Sequence, residues 1–239
     1  MKWLALAALI ACSNSQRTAA PDRTKDVVPA TAPTEARPSV AATPDAAIDA
    51  GASRSKEVED ALHAIWSEHA EDVPPAAFWK AHAAEVRPPL RALLTDGSDD
   101  GNGDRWAMQI LGDLGDPADV EVLAKVLNEW KFETARAHAA DALGAHPAPA
   151  AGEALIAATK LKDVTIASYA ATGLGYRRAD PAARARLEEL LDHPDTTMRY
   201  RAVNALAELG GSKGALTKRS KIEKDADVKA VIKKALQAK

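Results

Sequence analysis

The chain has 239 residues, of which 54 are alanine and only ten aromatic, and its formal net charge is −3. That balance excludes a strongly basic nucleic-acid binder and an acidic solvating tail, and the length leaves room for one domain or a small pair.

Residues 1–11 open with a single lysine followed by nine apolar residues from Trp3 to Ala11, directly ahead of Cys12, the one cysteine of the chain. A nine-residue run cannot cross a hydrocarbon core of about 30 Å, which takes about 20 helical residues, so it fits the hydrophobic region of a secretory signal instead. The string Leu9-Ile10-Ala11-Cys12 resembles the lipobox of bacterial lipoproteins. The resemblance implies a signal peptide over residues 1–11, removed ahead of Cys12, and a diacylglycerol on the Cys12 sulfur. The chain is then expected to be lipid-anchored in the bacterial cell envelope, with acyl chains contributing about 0.8 kcal/mol per buried methylene. Ser13 is not the aspartate associated with inner-membrane retention, which favours the outer membrane. No second cysteine is present for a disulfide within the chain.

Residues 12–55 form the next region, Cys12 followed by a stretch of Ala, Pro, Thr, Asp and Ser with prolines at 21, 29, 33, 38 and 44. No apolar period of 3.6 or 2.0 runs through it. Such a segment cannot bury enough apolar surface to offset about 1–2 kcal/mol per residue of backbone entropy, so a disordered, proline-extended tether is expected.

Residues 56–239 read as helix throughout. Val58, Ala61, Leu62, Ile65 and Trp66 share one apolar stripe, and Phe78, Trp79, His82, Ala83 and Val86 share a helix face after Pro74-Pro75. Pro88-Pro89 is expected to open a third segment running through Leu94.

Leu111, Leu143, Leu174, Leu206 and Leu236 then recur at intervals of 32, 31, 32 and 30 residues. Each repeat carries a small or aliphatic residue at fixed distances before its leucine. Eight before stand Gly103, Ala135, Ile166, Met198 and Val228; four before stand Ala107, Ala139, Ala170, Ala202 and Ile232. Seven before, Arg136, Arg199 and Lys229 supply a cation, and eleven before, Asp100, Asp163, Asp195 and Asp225 suit N-caps of second helices. Pro117, Pro149 and Pro181 suit the starts of first helices, and Gly115, Gly144, Gly175 and Gly210 suit left-handed C-terminal caps.

This two-helix period, carried best by "RWAMQILGDLGD", "ARAHAADALG" and "MRYRAVNALAELG", resembles HEAT repeats, and in particular the short bacterial HEAT-like repeats also found in phycobilin lyases. The resemblance covers roughly residues 86–239. It implies an all-α fold, a right-handed α-solenoid of about five HEAT-like helical hairpins, preceded by one or two capping helices and the disordered N-terminal tether.

In that family the second helices line the concave face. Positions five before each leucine (Trp106, His138, Tyr169, Arg201, Val231) and two before (Gln109, Asp141, Thr172, Asn204, Lys234) are then expected to point outward, the first four of each column as a partner-binding face rich in the Trp, Tyr and Arg that anchor interfaces. The loop Asp96 to Asp104 places Asp96, Ser98, Asp100 and Asp104 at the spacing that opens an EF-hand calcium loop. Ala107 stands where the bidentate glutamate belongs, which leaves only a weak calcium candidate beside a plain acidic turn capped by Asp100 or Asp104. Residues 94–133 hold ten acids against three bases, and residues 213–239 hold nine bases against three acids. The basic end lacks the aromatic interleaving of a nucleic-acid surface, so no nucleic acid is expected.

Catalytic motifs are absent: the six histidines form no HExxH, and there is no GxSxG, P-loop or dinucleotide fingerprint. His138 and Asp141 share a helix face as an i, i+3 pair, a spacing that could orient an imidazole as a base but reads first as a surface ion pair of little consequence. The expectation is a non-catalytic scaffold without cofactor, anchored to the membrane by its lipid and binding a protein on its concave face. The alternative, carried by the repeat resemblance, is a lyase-like enzyme or enzyme subunit.

Overall fold

The computed structural model describes residues 54–67, 69–95 and 102–237. Cys12, the signal and nearly all of the tether lie outside the described residues, as do Asp96, Ser98 and Asp100. Twelve α-helices run through the described residues, which contain no strand. They are α1 (Lys56–Ala64), α2 (Ala76–Ala81), α3 (Ala83–Thr95), α4 (Asn102–Leu114), α5 (Asp119–Glu129) and α6 (Glu133–Ala145). There follow α7 (Pro149–Ala158), α8 (Val164–Leu174), α9 (Pro181–Leu190), α10 (Thr196–Leu209), α11 (Lys213–Ser220) and α12 (Ala226–Gln237).

From α3 onward these form five hairpins, α3/α4 through α11/α12, and the second helices stack in order α4, α6, α8, α10, α12. The fold is thus the expected all-helical, HEAT-like solenoid. The short pair α1 and α2 caps its N-terminal end, α1 against α3 and α2 against α3 and α4. The cap explains why the first repeat has glycine eight before its leucine: a Cβ on Gly103 would come within 2.6 Å of the Trp66 ring.

The repeat columns are the core. Leu111, Leu143, Leu174 and Leu206 are buried, as are all five residues four before and all five eight before. Only the last repeat opens, leaving Ala235 and Leu236 half-buried at the end of the stack. No repeat has enough apolar surface to close on itself, and burial against neighbours supplies the difference.

Side-chain caps set the helix starts. Asp163 Oδ1 accepts from the Thr165 and Ile166 amides at 2.9 and 3.2 Å, Asp195 from Met198 at 3.1 Å, and Asp225 from Asp227 and Val228 at 3.0 Å. Phe132, in the same place before α6, gives no side-chain cap. Pro149 and Pro181 each begin a helix, while Pro117 sits in the turn two residues ahead of α5.

Three expectations differ from the structure. The face from Phe78 to Val86 is interrupted at His82 (φ −107, ψ 21), and Pro88 and Pro89 lie inside α3 instead of opening it. The prolines forgo hydrogen bonds to the Ala84 and Glu85 carbonyls, a loss the helix accepts because Pro89, Leu90, Leu93 and Leu94 are all buried. Of the four glycines read as left-handed caps, only Gly115 and Gly210 have positive φ, 69 and 70, and Gly210, with ψ 166, lies outside the left-handed helical region. Gly144 is helical and Gly175 has φ −63; both are needed for close approach. A Cβ on Gly144 would stand 2.5 Å from the Gly173 carbonyl oxygen, one on Gly112 2.8 Å from that of Ala142, and one on Gly175 3.0 Å from the Ala205 Cα. Second helices therefore meet backbone to backbone while the first helices stand farther apart. A stack spaced more tightly on one side curves toward that side, so the second helices form the inner face.

Arginines tie the repeats together. Arg199 donates to the His193 and Pro194 carbonyls at 3.0 and 2.8 Å and to the buried Glu223 of the next repeat at 2.9 and 3.1 Å. Arg136, in the same column, donates to the Trp130 carbonyl and reaches Asp163 at 3.5 Å. Arg177, after α8, reaches back to the Leu143, His146 and Ala148 carbonyls at 3.3, 2.7 and 3.1 Å, meeting acceptors that a helix end leaves open.

Candidate functional site

The inner face presents a graded surface. Two residues before the leucines, Gln109, Asp141 and Asn204 are exposed and Thr172 is half-buried, its hydroxyl donating to the Ser168 carbonyl at 3.1 Å. Five before, Trp106, His138, Tyr169 and Arg201 are all half-buried. Trp106 and Tyr169 pack against the core, with Arg105 lying 4.8 Å above the Trp106 ring and the Tyr169 hydroxyl donating to Glu133 at 3.4 Å. A side chain in a helix leans over the turn before it, which lays these two rings onto their neighbours more than toward solvent.

One groove of about 520 Å3 opens between α4 and α6 and ends under Tyr176. Arg105, Gln109 and Asp113 line one wall as successive i, i+4 positions of α4, and His138 and Asp141 line the other from α6. The floor between them is Ala142 and Ala145. The structure thus brings together Gln109, His138 and Asp141 of the residues named from sequence, and leaves Trp106, Tyr169, Thr172 and Asn204 outside this groove. Arg201 lines another hollow with Tyr200, Asp225 and Asp227.

Sequence reasoning missed Arg105, Asp113 and Tyr176. The signal was available: stepping four residues either way from the column two before the leucines lands on Arg105 and Asp113, and the position two after the leucine gives Asp113, Tyr176 and Glu208.

The groove is electrostatically tense. Asp141 keeps solvent access, yet its walls withdraw enough water to push its carboxyl up to about 6. Burial raises Asp113 as well, with Lys80 pulling the other way. Tyr176, 51% exposed, has its phenol raised by burial first and then by the negative charges of Asp141 and Glu208.

Asp104, the one described member of the calcium candidate, is buried in the first turn of α4, a place where an acid suits the helix dipole and not the cap position expected of it. Among the described residues no group of three or more His, Cys, Asp or Glu side chains converges on a possible metal position. No helix among them is long and apolar enough to cross a membrane.

Comparison with known proteins gives the repeats a family likeness. The HEAT-repeat family model matches residues 152–237. Among solved structures, a chain of the complex of CpcE and CpcF of phycocyanin lyase from Nostoc sp. PCC7120 is similar at 22% identity, TM-score 0.49, with 64% of this chain and 98% of that chain covered. An engineered protein is similar at 20% identity and TM-score 0.43, covering 77% of this chain and 96% of its own. A designed armadillo repeat protein is similar at 16% identity and TM-score 0.43, covering 81% and 97%. No curated protein matches the chain.

Proposed function

We propose that this protein is a non-catalytic protein-binding scaffold of the bacterial cell envelope, held by lipid on Cys12 and engaging its partner through the inner face of the solenoid. The observation that carries the binding reading is the groove between α4 and α6: it gathers polar and aromatic side chains from three successive repeats onto one concave surface. Extended concave faces built repeat by repeat are what solenoids offer to partners. The lyase-like alternative rests on the repeat resemblance alone.

Two experiments test the two halves. Photo-cross-linking residues placed at Gln109 or Asn204 on the inner face are expected to give discrete adducts in native cells, whereas one placed at Glu153, exposed on α7, is expected to give none; equal labelling from both sides overturns the inner-face reading. Intact mass and membrane fractionation of wild type and Cys12→Ala test the anchor. A mature chain beginning at an acylated Cys12, released from the membrane in the variant, is expected; an unprocessed soluble chain overturns the envelope assignment.

A further inference from the structure

We infer that the groove under Tyr176 is a receptor for an arginine side chain presented by the partner protein, held by Asp113 and Asp141 on its two walls and by the Tyr176 ring at its end. The inference rests on the inner face being the binding face and names the chemistry that face selects.

Charge complementarity carries it. The charged and titratable groups that line the groove are Arg105 and Asp113 from α4, His138 and Asp141 from α6 and Tyr176 after α8, while Lys80 on α2 acts electrostatically on Asp113 and Glu208 on α10 on Tyr176. Two carboxylates line the groove with an exposed phenol ring, and Glu208 acts on that ring electrostatically. Of the two cations, Arg105 lines the α4 wall with its guanidinium 4.8 Å over the Trp106 ring, and Lys80 is exposed on the cap helix. Carboxylates partly stripped of water are restored by a cation that enters with its own hydrogen-bond donors.

An aromatic face beside carboxylates favours guanidinium over ammonium. The guanidinium is planar, more weakly hydrated than an ammonium, able to fork between oxygens on the two walls and to stack on the ring. A hollow of about 520 Å3 lies within the range of about 300–1,000 Å3 usual for a small binding site, and its alanine floor leaves room for the aliphatic stem. The surrounding sequence extends the same sign outward, since residues 94–133 carry ten acids and three bases. A basic partner segment is therefore steered to this end of the solenoid before it docks.

The test is an NMR titration of the 15N-labelled protein with a blocked Gly-Arg-Gly peptide and with its citrulline counterpart, which has the same shape and no charge. Saturable shifts are expected at the amides of Asp141, Ala142, Ala145 and Tyr176, with affinity on the order of millimolar for so small a probe. The citrulline peptide, Asp141→Asn and Tyr176→Ala are each expected to weaken binding at least tenfold, with Glu153→Gln, an equal charge loss on the outer layer, leaving it unchanged. Retained spectra show that each variant is folded. Shifts scattered over the acidic surface, equal response to citrulline, or equal loss in Glu153→Gln overturn the inference. Inner-face cross-linking to a partner together with no arginine response sinks this inference alone and leaves the scaffold reading standing.

Discussion

At Glu223 a carboxylate that burial would neutralise is kept ionised. Hydrogen bonds from Arg199 and Arg219 and from the Asp225 and Lys224 amides outweigh the lost water and bring its pKa down to about 2. Because the folded value lies below the unfolded 4.5, the stability it contributes is complete above pH 4.5 and is lost as the pH falls through 2. Glu223→Ala leaves Arg199 without its carboxylate and Arg219 with Asp192 alone, so a loss of about 3–5 kcal/mol is expected in urea unfolding at pH 7, narrowing toward pH 2. Asp141 has the opposite sign. Its folded value of about 6 lies above the unfolded 3.8, so the ionised form opposes folding above pH 6 and that penalty is gone below pH 4. Asp141→Asn is accordingly expected to raise the thermal midpoint at pH 7.5 and to match wild type at pH 3.5. Asp141 was legible in the sequence as an exposed column position. Glu223 was not, because its partners sit one repeat away at Arg199 and one helical turn before it at Arg219, and no single helix pattern joins them.

The helices were legible where periodicity and caps agreed, as at Asp163, Asp195 and Asp225, and illegible where burial overrode local preference. Pro88-Pro89 reads as a helix start, yet the apolar row Val86, Leu90, Leu93, Leu94 draws the residues before it into the same helix. Leu143-Gly144 reads as a helix end, yet Gly144 is the point where α6 touches α8. The two classes of glycine separate in a substitution experiment. Gly144→Ala drives a Cβ against the Gly173 backbone, which cannot move aside cheaply, and is expected to cost about 1–3 kcal/mol. At Gly210 nothing lies within 4 Å, and Gly210→Ala is expected to cost about 1–3 kcal/mol from its backbone conformation alone, φ 70 with ψ 166, a region essentially confined to glycine. Denaturant unfolding of the pair measures both. Asn in place of Gly210 is expected to recover none of its loss, because φ 70 with ψ 166 lies outside the left-handed helical region that Asn tolerates, and Asn in place of Gly144 deepens its loss.

The solenoid as a whole derives its stability from neighbour contacts, so its ends are its weakest parts. The N-terminal end is closed by α1 and α2, with Trp66 over Gly103, while the last repeat leaves Ala235 and Leu236 half-buried. Native-state hydrogen exchange is expected to find the amides of α6 and α8 protected to the global limit and those of α11 and α12 released by local opening first. Uniform protection across all five hairpins contradicts that order.

Since the second helices already touch backbone to backbone at Gly112, Gly144 and Gly173, their layer is the neutral axis of the array under bending, neither shortening nor stretching as the stack flexes. Strain passes to the looser layer of first helices. The distance from Asp113 to Tyr176, mounted close to that axis, is therefore held while the rest of the array yields, as a gauge fixed near the unstrained line of a beam keeps its length.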